Sequence, residues 1–227
     1  MLSYLQLNTR PDISMPVHQT ARFSANPMRC HEQAVTRIGR YLLHSKDKGI
    51  YFKPDASKGL DCYVDADHAG GWAQNDPHDA DNIYSRTGFV IKYANCPIFW
   101  SSKLQTEIAL STAEAEYIAL SSALREVIPL IALLKELHAL FPLLITPPTF
   151  RCKVWEDNQS CIAMATTQKF TPRTKHIALK YHHFRRFVDS KEIEIQYVRT
   201  EDQQADIFTK PVRPDLFFPL RHLLMGW

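Results

Sequence analysis

LDCYVDAD, residues 60–67, decides the fold. It is a hydrophobic stretch that reads as a β-strand, and the run ends in acids. A second stretch, VWED at 154–157, has the same form and also ends on an acid, Asp157. Two more acids lie on helical patterns, Glu116 in STAEAEYIAL (111–120) and Asp206 in QQADIFTKP (203–211). Divalent cations of the Mg²⁺ type take oxygen ligands from several elements converging on one point. Two such ions about 3.5–4 Å apart stabilise both the attacking and the leaving oxygen of a phosphodiester. Asp65, Glu116, Asp157 and Asp206 are therefore the candidate catalytic and metal-ligating residues.

Two choices among neighbouring acids rest on local geometry. Asp65 and Asp67 share a strand face, but Asp65 directly follows the apolar run and Asp67 already enters the loop, so Asp65 is preferred. Ser111 and Glu114 form an S-x-x-E capping box, which occupies Glu114 with the backbone and leaves Glu116 to face the sheet.

Around these acids the chain divides into regions. Residues 1–55 are broken by Pro11, Pro16 and Pro27, then carry a helical pattern from Pro27 to Ser45 through Ala34, Ile38, Tyr41 and Leu42. This appendage is too small for a convincing core of its own. Residues 60–211 alternate strands and helices. Thr87–Tyr93 and Pro97–Ser102 are expected strands joined by a tight Ala94-Asn95 turn. A helix is expected from Thr112, with a kink or break at Pro129. Further elements are a strand at Lys153–Glu156, a helix at Ser160–Thr167, an amphipathic helix at Lys175–Ser190 and an edge-type strand at Ile193–Val198. Thr200 with Gln203 reads as a second capping box, opening a helix that stops before Pro211. Residues 212–227 read as a C-terminal tail. The order predicts an α/β fold, a mixed sheet covered by helices.

Composition sets limits on class. The 227 residues carry a net charge of +3, which neither demands nor excludes a nucleic-acid partner. The five cysteines are odd in number and form no CxxC, which reads as reduced, mostly buried thiols in an intracellular protein. The N-terminus lacks the form of a signal peptide, and the apolar run Val127–Leu134 is too short to span a bilayer.

Candidate nucleic-acid contacts surround the acids. Ser102, Lys103 and Gln105 precede the helix of Glu116 and offer groups for phosphate or a ribose 2′-hydroxyl. Asn158 and Gln159 flank Asp157. Ser85 and Thr87 read equally as turn residues. Lys175, His182 and Arg186 lie on one face of the basic helix, which fits a solvated surface as well as a phosphate-tracking one.

The motifs YVDADHAG, YSRTGFV, FWSSKLQTEIALSTAEAEYIAL, VWEDNQSCIAM, TKHIALKYHHFR and ADIFTKP closely resemble, in order, the RNase H domain of copia-type LTR retrotransposon Pol polyproteins. Residues 8–49 resemble the segment joining polymerase to RNase H in that family. The resemblance implies an RNase H-like fold with a five-stranded mixed sheet flanked by helices and a helical N-terminal appendage. It implies hydrolysis of the RNA strand of RNA–DNA hybrids with two Mg²⁺ ions, or Mn²⁺ in their place, held by Asp65, Glu116, Asp157 and Asp206. It also implies association with polymerase and integrase parts, and a place in cytoplasmic virus-like particles or the nucleus. The polymerase's YxDD acid pair is absent, so no copying activity is expected. His68 stands where the family usually has Trp, and the 198–206 connection lacks the histidine that aids product release in many RNase H enzymes. The alternative is a catalytically inactive retroelement remnant that only binds nucleic acid.

Overall fold

The computed structural model describes residues 1–70, 83–142, 150–167 and 182–227. Its centre is a five-stranded sheet in the order β3-β2-β1-β4-β5. β1 (Leu60–Asp67), β2 (Arg86–Tyr93) and β3 (Cys96–Leu104) form an antiparallel meander. The β2–β3 turn places Ala94 and Asn95 at φ 49° and 65°, the left-handed pair that matches a two-residue hairpin to strand twist. β4 (Cys152–Glu156) pairs parallel with β1, and β5 (Ile193–Tyr197) parallel with β4. This mixed sheet with flanking helices is the RNase H-like fold that the motifs imply.

β1 lies at the centre and is covered on both faces. Leu60, Cys62 and Val64 face α4 (Thr112–Leu140), while Tyr63 packs with Val90, Trp100, Ile207 and Phe208 on the other side. α4 buries Tyr117, Leu120, Leu124 and Val127. Each such side chain contributes roughly 1.5–3 kcal/mol by leaving water. α4 runs through Pro129 as one continuous helix, without the break that was one of the expected outcomes. Pro129 withdraws one backbone donor, and the packing of α4 on β1 and β2 keeps the helix whole. By length and composition α4 could cross a membrane, but half of its most apolar window is buried inside the protein, where it serves as the core helix.

The N-terminal segment forms α1 (Leu2–Asn8), a 3₁₀ turn at Pro11–Ile13, α2 (Ser14–Ala21) and α3 (Arg29–His44). Ile13, Val17 and Ile38 make a small core of their own. The segment docks on the sheet domain through Trp100, whose indole N–H donates to Gln6 O at 2.6 Å. Arg86 reinforces this contact by reaching His18 and Gln19 of α2. Residues 212–227, read from sequence as a tail, contain α8 (Pro214–Met225), whose Leu220, Leu224 and Met225 are buried beside Val90 and Trp100.

Among the described residues there are three smaller α-helices besides: α5 (Gln159–Thr166), α6 (Arg185–Asp189) and α7 (Asp206–Thr209). The expected Lys175–Ser190 helix is described only from His182 onward, where α6 covers its last part. Lys175 lies outside the described residues. Thr200 does not cap a helix. It opens a 3₁₀ turn at Thr200–Asp202, and its hydroxyl turns instead to Asp157. The five cysteines are free, Cys30 exposed and the other four buried.

Candidate metal centre

The C-terminal ends of β1 and β4 lie side by side because the two strands pair in parallel. Each apolar run drives its strand into the core and leaves the following acid at the sheet edge. Asp65 arrives from β1 and Asp157 from just beyond β4. Glu116 projects from the second turn of α4. One carboxylate oxygen from each of these three residues lies within 4.8 Å of the others. Asp206, the first residue of α7, joins from the opposite side through Lys210, whose ammonium is 2.9 Å from Asp206 Oδ1 and 3.7 Å from Asp65 Oδ2.

Gly88 makes this last approach feasible. A Cβ there would lie 2.5 Å from Thr209 Cγ2 and 2.7 Å from Phe208 Cβ, so only glycine lets α7 sit directly on β2. The acids differ from their neighbours in burial and contacts, although Asp67, expected in the loop, is still in β1 and pairs with Arg86. Asp65 is buried, whereas Asp67 is half-buried and folds over Gly70. Glu114 caps α4: its N–H donates to Ser111 Oγ, and its carboxylate accepts from Leu110 N–H rather than from Ser111.

Burial raises the proton affinity of this cluster. Glu116 is pushed far up by desolvation, then by Glu156, Asp65 and Asp157. Desolvation and Asp65 push Asp206 up to about 7, against the pull of Lys210. Asp65 is raised by burial, with Lys210 and the Thr209 hydroxyl opposing. Like charges this close repel unless protons or cations intervene. Glu116 Oε2 is buried and has no hydrogen-bond partner among the described residues. An all-oxygen set with an unsatisfied inward-facing carboxylate fits a hard divalent cation.

Several residues here were invisible to motif reasoning. Thr200 Oγ1 donates to Asp157 Oδ2 at 2.9 Å, and the Thr209 hydroxyl donates to Asp65. Gln203, fully buried, donates to Val64 O at 2.9 Å and to Trp155 O at 3.3 Å, which ties the ends of β1 and β4 together. Glu156 is a further acid beside the cluster, and it is fully buried. Its Oε1 accepts from Asn158 N–H, and burial pushes its pKa up to about 8. The apolar-run pattern held the signal for Glu156, since an acid in phase with Cys152 and Val154 must face the α4 side.

The proposed nucleic-acid contacts divide into two groups. Ser85, Thr87, Ser102 and Gln105 are buried and engaged in the frame. Gln105 donates to Thr87 Oγ1 and to Ala115 O, Ser102 donates to Phe208 O, and Ser85 Oγ accepts from Ala69 N–H. Their hydroxyl and amide groups are used in holding β2, β3, α4 and α7 together. Lys103, Gln159 and Arg186 are exposed. Asn158 is half-buried and caps α5 by accepting from Cys161 N–H. His182 meets the Tyr117 hydroxyl at 2.6 Å.

No protein-family model matches the chain. The chain is 36% identical over 216 residues to the retrovirus-related Pol polyprotein from transposon RE1 of Arabidopsis thaliana, covering 95% of this chain and 14% of that protein. It is also 36% identical over 216 residues to the corresponding polyprotein from transposon TNT 1-94 of Nicotiana tabacum, covering 95% of this chain and 15% of that protein. The chain thus spans about a seventh of the length of these polyproteins. Among solved structures it is similar to the N-terminal RNase H domain of Rv2228c from Mycobacterium tuberculosis, with 14% identity, a TM-score of 0.44, and coverage of 73% of this chain and 97% of that one.

Proposed function

Because the chain belongs to the retrovirus-related Pol polyproteins of copia-type transposons, we propose that it is their RNase H region with the segment before it, and that it hydrolyses the RNA strand of RNA–DNA hybrids. The observation that carries this reading is the convergence of Asp65, Glu116 and Asp157 within 4.8 Å from three separate elements, with Asp206 beside them. Such convergence leaves like charges close together in a buried place, which stability alone does not favour.

Asp65, Glu116, Asp157 and Asp206 would hold two Mg²⁺ ions, with Mn²⁺ as a substitute. Bound there, the ions supply the charge stabilisation of the attacking and leaving oxygens that phosphodiester hydrolysis needs. The chain's own residues orient the ligands. Thr200 fixes one oxygen of Asp157, Thr209 fixes one of Asp65, and Gln203 holds the two strand ends at constant separation. Lys103, Asn158, Gln159, Lys175 and Arg186 are the proposed contacts to the hybrid's backbone, where cations track phosphates without reading sequence. The polymerase and integrase parts of the polyprotein are the proposed partners.

The test is cleavage of a labelled RNA–DNA hybrid by the full chain, beside single-stranded RNA and duplex RNA. Cleavage of the RNA strand of the hybrid alone, dependent on Mg²⁺ or Mn²⁺ and abolished by EDTA, is the expected result. Hydrolysis undiminished in excess EDTA sinks the metal mechanism, and equal cleavage of duplex RNA sinks the substrate class.

A further inference from the structure

Among the described residues, Lys210 is the cation paired with the acid cluster. Among the described residues, the salt bridges that reach Asp65 and Asp206 both come from it. Its position follows from the local sequence. α7 is one turn long and ends at Thr209; Lys210 N–H closes that turn on Asp206 O at 3.2 Å. Pro211 follows, and a residue before proline is pushed out of the helical region. Lys210 accordingly sits at φ −136° and ψ 159°. The chain therefore leaves the helix there, and the lysine stem reaches back over the carboxylates.

The lysine and the acids it meets differ in access to solvent. The Lys210 side chain is 36% exposed, while those of Asp206 and Asp65 are 1% and 3% exposed. A lysine ammonium is a compact charge on a flexible stem with three donors and no fixed fork, so it can exchange these acids for water without disturbing the backbone. The acids are held in place. Asp65 is fixed by Thr209, and Asp206 by the start of α7. Burial works against the ammonium, yet Asp65 and Asp206 push its pKa above the ordinary lysine range. Lys210 in turn eases the burden on Asp67 and Glu116 as well as on Asp65 and Asp206.

We propose that Lys210 is a tethered competitor for the metal centre, occupying the Asp65 and Asp206 oxygens that a divalent ion must take and thereby setting the affinity for that ion. The inference rests on the reading of these carboxylates as metal ligands. Lys210 Nζ bonds Asp206 Oδ1 at 2.9 Å and lies 3.7 Å from Asp65 Oδ2, so a divalent ion taking these oxygens would sit against the ammonium, and the two charges repel at that separation. Entry of the ion therefore requires Lys210 to swing toward solvent. Lys210 is a positioning residue in this scheme, acting through Asp65 and Asp206.

Mg²⁺ binding measured by titration calorimetry on the full chain tests this directly. Lys210→Met keeps the stem and removes the charge. Its Mg²⁺ affinity should be roughly tenfold tighter than wild type, about 1.4 kcal/mol. Lys210→Arg keeps the charge and should bind no more tightly than wild type. A second measurement uses the unaltered protein, so it stands even if a variant folds poorly. Amine-reactive labelling of Lys210, read by mass spectrometry, should rise when Mg²⁺ is added. Equal or weaker Mg²⁺ affinity in Lys210→Met overturns the inference, as does tightening in Lys210→Arg or labelling that Mg²⁺ leaves unchanged. A wild-type chain that binds neither Mg²⁺ nor Mn²⁺ removes the metal reading itself. Binding by wild type with no difference in Lys210→Met removes only the role of Lys210.

Discussion

Two buried charge clusters in this molecule are built on opposite principles. At the N-terminal junction Arg10 donates to Asp12 at 3.0 and 2.8 Å and to Ser45 at 2.8 and 3.2 Å. The Tyr41 hydroxyl donates to Asp12, Arg221 donates to Tyr41 at 3.2 Å, and the Arg221 guanidinium lies 3.7 Å from the Trp227 ring centroid. Cation, anion, hydroxyl and ring satisfy one another. At the sheet edge five carboxylates gather, Lys210 pairs with Asp65 and Asp206 alone among the described residues, and Glu116 and Glu156 each keep a buried oxygen without a hydrogen-bond partner among the described residues. A balanced cluster joins distant segments, here residues 10–12, 41–45 and 221–227. An unbalanced one is costly to bury and persists where a ligand completes it.

The largest expected effect breaks the unbalanced cluster. Asp157→Asn preserves shape and removes one charged ligand. Hybrid cleavage should fall about a thousandfold or more, roughly 4 kcal/mol of barrier, while the fold stays intact. Glu116→Gln should behave alike, and Glu114→Gln, two residues away and engaged in capping, should cleave at close to the wild-type rate. Single-turnover rates with matched circular dichroism spectra decide this. Similar losses in the two glutamine variants would erase the distinction between capping acid and site acid.

Much of this contrast was legible in the sequence, for a definite reason. Hydrophobic stretches ending in an acid pointed to Asp65 and Asp157, and the capping box that occupies Glu114 left Glu116 for the sheet side of α4. These are regularities within an element. What stayed hidden lies beyond element ends, where side-chain direction has no period. Thr200 was expected to cap a helix and instead holds Asp157. Lys210 reaches back over the acids because α7 stops after one turn, which its helical spacing from Asp206 does not reveal. Ser102 and Gln105 looked available to a ligand, but their partners Phe208 and Ala115 are brought near by packing. The junction cluster was hidden for the same reason, since Arg10 and Trp227 meet only after folding, with 5.5 Å between guanidinium and ring centroid.

Breaking the balanced cluster should cost stability and leave the metal response alone. Asp12→Ala strands the buried Arg10 guanidinium and removes the acceptor of the Tyr41 hydroxyl. Loss of one partner of a buried ion pair costs about 3–5 kcal/mol. Urea unfolding should show a loss on that scale, with the Mg²⁺ dissociation constant unchanged. A loss under about 1 kcal/mol would place this pair with exposed salt bridges and cancel its part in the comparison.

The smallest effect is of opposite sign and depends on pH. Asp206 is raised to about 7 and Glu156 to about 8, in both cases first by burial. In the unfolded chain such acids titrate near 4. Between about pH 4 and pH 8 the folded state therefore binds more protons than the unfolded state, and stability falls as pH rises. Below about pH 4 both states are protonated and the penalty is absent. Asp206→Asn removes one of the repelling charges. In EDTA at pH 8 it should be more stable than wild type by about 1–2 kcal/mol, less than a single isolated shift implies, because a coupled set redistributes its protons. At pH 4.5 the difference should shrink towards zero. Saturating Mg²⁺ should reverse the order at pH 8, since wild type then gains binding energy that the variant lacks. Denaturant midpoints for the two proteins across this range, with and without Mg²⁺, read the difference directly and cancel the other titrating groups. If Asp206→Asn is destabilised in EDTA at pH 8 as well, Asp206 is held by Lys210 as firmly as Asp12 is by Arg10. The two clusters are then alike in kind.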